Sequence, residues 1–161
     1  MERTILKVES RILNEDGSLP LRYSCFGKNI NPPLEISNIP PSAKSLAVVL
    51  ESYALDEPGY THWLIWNIPV TRQIRENELR GVIGQNDFGF KGYWGPKYSK
   101  ESPEFIFRVF AFDRLLNFKE PAVNKWEFYS SVISYGIAQG KLVFKLVGSK
   151  APAMAHYERI N

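Results

Sequence analysis

A mainly β fold is expected from three features of the 161-residue chain. Short apolar runs, five to nine residues long, recur between clusters of Gly, Pro, Asn and Ser. Aromatic residues make up 14% of the sequence, a composition that suits strands. Only one segment has both helical periodicity and caps.

Seven runs read as strands. They are Thr4–Val8 (TILKV), Leu21–Phe26 (LRYSCF), Leu34–Ile39 (LEISNI), Ser45–Ser52 (SLAVVLES), His62–Ile68 (HWLIWNI), Phe105–Asp113 (FIFRVFAFD) and Lys141–Val147 (KLVFKLV). In the sixth, Phe105, Phe107, Val109 and Ala111 alternate with Ile106, Arg108, Phe110 and Phe112, so only Arg108 is polar on either side. Strands apolar on both faces lie inside a sheet covered on both sides. Ser45–Ser52, His62–Ile68 and Phe105–Asp113 are therefore expected in one central antiparallel sheet.

The helix begins at Asn124, with Glu127 at capping-box spacing. Trp126, Tyr129, Ile133 and Ile137 give it an apolar stripe, and Gly140 is the expected stop. Val70–Leu79 suggests a further short helical turn. No repeat, low-complexity segment or linker divides the chain, so residues 1–161 are expected to form a single domain.

Bulk properties narrow the function. The formal net charge is +3 with no run of Lys or Arg, which argues against a dedicated nucleic-acid binder. The single cysteine, Cys25, has no internal disulfide partner. No stretch approaches the ~20 apolar residues of a transmembrane helix. The charged N-terminus lacks a signal core, so a cytoplasmic location is expected.

Catalytic signatures are missing as well. The sequence has two histidines, His62 and His156, and no G-x-S-x-G, C-x-x-C, H-E-x-x-H or phosphate-loop motif. No metal, no cofactor and no enzymatic activity are expected. The segment Gly81–Pro96 (GVIGQNDFGFKGYWGP) interleaves five glycines with Phe88, Phe90, Tyr93 and Trp94. It reads either as the wall of a pocket or as a surface loop packing its aromatics on the sheet.

Four segments carry a family resemblance. Gly27–Ser52 (GKNINPPLEISNIPPSAKSLAVVLES), Thr61–Pro69 (THWLIWNIP), Gly84–Pro96 (GQNDFGFKGYWGP) and Phe105–Asp113 occur in the order, and with the spacing, of the phosphatidylethanolamine-binding protein family, also called the Raf kinase inhibitor protein family. The chain resembles the bacterial and archaeal branch of that family. The resemblance implies a large antiparallel sheet packed on a smaller one, with a helix near the C-terminus. It also implies a pocket for small anionic or phospho-containing ligands, built from a D-P-D-x-P loop, the histidine of H-W, a G-x-G-P turn and an H-R-Y motif.

His62, Gly95 and Pro96 match that pocket. Ser52, Tyr53 and Ala54 stand where the family has Asp, Pro and Asp, and Pro103, Glu104 and Phe105 stand where it has His, Arg and Tyr. The expected ligand site is His62, Gly95 and Pro96, with Tyr53, Asp56 and Tyr98 as substitute polar groups. The expected function is non-enzymatic binding of a small anion beside His62. The alternative is an inhibitor-like module with a degenerate pocket, acting on a protein partner. A homodimer is compatible with either.

Overall fold

A computed structural model describes residues 3–53, 59–97, 103–119 and 123–146. The three doubly apolar runs become its longest central strands. Ser45–Tyr53 (β4) pairs antiparallel with Tyr60–Ile68 (β5) on one side and with Glu104–Phe112 (β8) on the other. Each face of β4 is buried. Leu46, Val48 and Leu50 join Trp63, Ile65, Phe105 and Phe107 in one core. Ala47 and Val49 join Leu64, Trp66, Phe110 and Phe112 in a second core on the opposite face.

The complete large sheet has the order β1-β9-β8-β4-β5-β7, where β1 is Thr4–Ile5, β7 is Val82–Ile83 and β9 is Gly136–Lys145. Its edge pair β1–β9 is parallel, so the sheet is mixed. The smaller sheet, β2-β3-β6, contains Lys7–Glu9, Leu34–Ser37 and Gln73–Ile74. Its Val8, Leu34, Ile36 and Ile74 pack into the first core.

Thr4–Val8 is not one strand. Leu6 donates its N–H to Gln139 O at 2.8 Å, and from Lys7 onward the chain pairs with β3 instead. The run is divided because it staples the two sheets together. Gly140 permits this closeness, since a Cβ there would lie 2.2 Å from Leu6 O.

Leu21–Phe26 is also not a strand. Leu21–Tyr23 forms a 3-10 turn after Pro20, and the Ser24 hydroxyl donates back to Leu21 O at 2.7 Å. A local hydroxyl-to-carbonyl bond competes with a ladder, and here it prevails over strand propensity. Val70–Leu79 forms no helical turn. It supplies the two-residue β6 and then turns through Asn77, whose φ is 53°.

The helix, α1, spans Lys125–Tyr135 and has the expected capping box. Asn124 Oδ1 accepts from the N–H groups of Trp126 and Glu127, and Glu127 Oε2 accepts from Asn124 N–H. Its buried face differs from the expected stripe. Phe128 and Val132 are buried against Phe110 and Phe112, whereas Trp126 and Ile133 are 72% and 77% exposed. The helix also ends at Gly136, because the chain enters β9 directly rather than continuing to Gly140.

Candidate functional site

His62 sits at a fault in the β4–β5 ladder. Leu50 pairs with Trp63 and Glu51 with Thr61, leaving His62 as the extra residue of a bulge. Bulges re-aim side chains and are common near sites. Here the bulge turns the imidazole toward Ser52, and the ring is 4% exposed.

Both ring nitrogens have partners. Nδ1 lies 2.9 Å from Trp94 O, and Nε2 lies 2.9 Å from Ser52 Oγ. A carbonyl only accepts, so the proton sits on Nδ1 and Nε2 accepts from the Ser52 hydroxyl. Trp94 N–H in turn donates to His62 O at 2.9 Å. Phe88 and Phe105 close over the ring at centroid distances of 4.9 and 5.6 Å. Burial pushes the imidazole down to about 4, against a weaker opposing pull from the Trp94 carbonyl.

The glycine segment is tied along β5. Gly84 N–H donates to Leu64 O, Asp87 N–H to Thr61 O, and Thr61 N–H to Asp87 Oδ2. Asn86 accepts from Phe88 N–H and donates to Gly92 O, holding a compact turn at whose tip Gly89 has a φ of +94°. Phe88 of this loop leans on the His62 ring and Tyr93 packs on Trp63, while Phe88 and Phe90 remain largely exposed.

Gly95 is fixed by the opposite wall. Its N–H donates to Asn29 Oδ1 at 2.7 Å, and a Cβ there would meet Tyr23 O at 2.4 Å. Pro96 O accepts from Cys25 N–H. Gly95→Ala is expected to cost about 1–3 kcal/mol, because the clash is with backbone that has little room to move. Chemical denaturation of the two proteins measures it.

The remaining expected site residues divide. Tyr53 follows Ser52 on β4 and so points to the other face. Its hydroxyl donates to Glu51 Oε2 rather than reaching His62. Asp56 and Tyr98 lie outside the described residues.

Tyr53 belongs to a cluster that the sequence did not single out. Glu51, 5% exposed, accepts from Tyr53 at Oε2 and from Tyr129 at Oε1. Arg108 Nε stands 3.7 Å from Glu51 Oε2. Ile106 faces Glu51 across the ladder, so Arg108, two residues on, is its diagonal neighbour. The one polar residue in the run Phe105–Phe112 was the available signal, but its partner depends on register.

These residues line a cavity of about 450 Å³ between α1 and the sheet, which also takes in Arg3, Tyr60, Thr61, Lys125, Trp126 and Ile133. It opens on the face of β4 opposite His62.

Residues 9–146 match the model of the phosphatidylethanolamine-binding protein family. The chain belongs to that family. A family relative from Methanothermobacter thermautotrophicus, a UPF0098 protein, is 31% identical over 146 residues, covering 86% of this chain and 96% of the relative. A UPF0098 protein of Pyrococcus horikoshii is 32% identical over 153 residues, covering 88% and 76%. Among solved structures, a phosphatidylethanolamine-binding protein homolog from Chlamydia trachomatis superposes with a TM-score of 0.79 at 26% identity, covering 91% of this chain and 99% of that one. Escherichia coli YbcL, another family member, has a TM-score of 0.77 at 22% identity and supports the fold alone. In the described part of this family member, no helix is long and apolar enough to cross a membrane.

Proposed function

We propose that this family member acts by binding, without chemistry of its own, and that its pocket beside His62 holds small anions only weakly at neutral pH. The observation that carries this reading is the double engagement of the His62 ring. An anion needs a donor, but Nδ1–H is given to Trp94 and Nε2 is an acceptor. An imidazole held near 4 is neutral at pH 7 and adds no charge. Bringing an anion there means breaking two hydrogen bonds and displacing Phe88.

The Ser52–His62 bond has the reach of a nucleophile and its base. Three features argue for a structural pair instead. Ser52 is 6% exposed, the imidazole is a weak base, and the nearby Gly95 N–H is already given to Asn29. The same closure favours the alternative in which a partner protein is met elsewhere on the surface, since Phe105 fills the space beside the ring.

Calorimetric titration with phosphate and phosphoserine tests the reading. The expected outcome is no binding tighter than about 1 mM, or roughly −4 kcal/mol. Micromolar binding that disappears in His62→Ala would restore the anion to the imidazole and overturn the proposal. Ester and phosphoester turnover lost in Ser52→Ala would overturn its non-enzymatic part.

A further inference from the structure

A different part of the molecule has the makings of a ligand site. The cavity between α1 and β4–β8 borders a second, of about 330 Å³, with which it shares Arg108, Phe110 and Gln139 in its lining. The second continues over Ile5, Leu6 and Lys141. Each volume lies in the range of about 300–1,000 Å³ that holds small organic ligands.

Thr61 provides the first pointer to a ligand. Its side chain shares a face with Glu51, its ladder partner, and it lines the first cavity. The residue is 1% exposed, and its hydroxyl has no hydrogen-bond partner among the described residues. A buried hydroxyl left unpaired is costly in a native protein and marks a place where an unseen partner belongs.

Charge gives the second. Among the described residues the cavity is lined by the cations Arg3, Arg108 and Lys125 and the carboxylate of Glu51, with Asp87 3.3 Å from Lys125. Three cations against two carboxylates leave one positive charge in excess. Both Glu51 oxygens are already taken by Tyr53 and Tyr129. Lys141 over the second cavity adds a further cation, so the trough as a whole favours an anionic head.

Apolar surface gives the third. Trp126 and Ile133 on α1 stand exposed at the mouth of the first cavity, and Ile5 stands exposed beside the second. Large side chains on an exposed helix face beside a cationic cavity suit an apolar body attached to a charged head.

We propose that this trough binds an organic carboxylate with an apolar body, its head at Thr61, Arg108 and Lys125 and its body along Val132, Ile133 and Trp126. The site is separate from His62 and lies on the opposite face of β4.

The test uses octanoate, with octanol and inorganic phosphate as comparisons, in calorimetric titrations of the full chain. Octanoate is expected to bind at one per chain, and octanol about tenfold more weakly, because it lacks the charge. Thr61→Val removes a hydroxyl that has no partner among the described residues, so it should leave the fold intact and weaken octanoate about fivefold to tenfold. Ile133→Asp changes an exposed residue and should weaken octanoate by tenfold or more. Circular dichroism confirms that each variant is folded. No saturable octanoate binding, or equal binding by octanol, would overturn the proposal. So would octanoate binding unchanged in both variants. Octanoate binding lost in His62→Ala but kept in Ile133→Asp would place the ligand beside His62 and count against the proposed function as well. Tight phosphate binding with octanoate still sensitive to Ile133→Asp would overturn the proposed function alone.

Discussion

Phe105→Ala is expected to destabilise the protein by about 3–5 kcal/mol, the usual cost of emptying a large aromatic from a core. Phe105 is 1% exposed and stacks on Phe144 at 5.4 Å while its edge meets His62. Truncation leaves a void against the imidazole on one side and strips a ring contact from β9 on the other. Urea denaturation followed by tryptophan fluorescence reads the loss. A cost below about 1 kcal/mol would mean that Phe105 does not fill the place beside His62. The same variant should make His62 easier to protonate, because water entering the void reduces the desolvation that holds the ring neutral.

The second large effect is on stability against acid. The His62 imidazole titrates near 4 in the folded protein and near its ordinary 6.5 when unfolded. Between those values the unfolded chain binds a proton that the folded chain does not, so stability rises with pH across that window. Its contribution is complete above pH 6.5, is lost as pH falls toward 4, and changes no further below that. The difference between the two values corresponds to about 3 kcal/mol. Glu76 and Glu78 titrate in a lower window. Hydrogen bonds hold Glu76 down to about 2, chiefly from Arg22. Glu78 is held at about 2 by Arg80 and by backbone N–H groups that outweigh its burial. Their stabilisation is lost below about pH 4.5, so the two effects separate on the pH axis. Urea denaturation from pH 7 to 4.5 should show the His62 slope in the wild type and a flattened profile in His62→Phe. Equal slopes in both proteins would exclude His62 as its source.

The central strands were legible in the sequence because their chemistry repeats at the period of a strand. Phe105, Phe107, Val109 and Ala111 fall in one core and Phe110 and Phe112 in the other, as alternation requires. The start of the helix was legible for a local reason as well, since a capping box is complete within four residues. Its buried face was not. Trp126 and Ile133 were the larger apolar candidates, but the sheet selects the face that fits Phe110 and Phe112, and that face carries Phe128 and Val132. The exposed pair instead borders the cavity.

The geometry of the candidate site was legible only in part. Motif order located His62, Gly95 and Pro96 at one end of the sheet. What closes the ring comes from Trp94, 32 residues away, and from an extra residue in the β5 ladder. Neither leaves a local trace. Glu51 and Arg108 were hidden for the same kind of reason, because their pairing is a diagonal across two strands whose register no single segment contains.

A neutral His62, protonated on Nδ1 and enclosed by Phe88 and Phe105, underlies the weak anion binding proposed above. Nitrogen-15 NMR of the imidazole ring, followed from pH 7.5 to 3.5 with and without phosphate, tests it most directly. A single neutral tautomer with its proton on Nδ1 is expected from pH 7.5 to 5.5, with a midpoint near 4 and no response to millimolar phosphate at pH 7. A midpoint at or above 6.5, or one that phosphate moves upward, would contradict it and would return the anion to the side of His62.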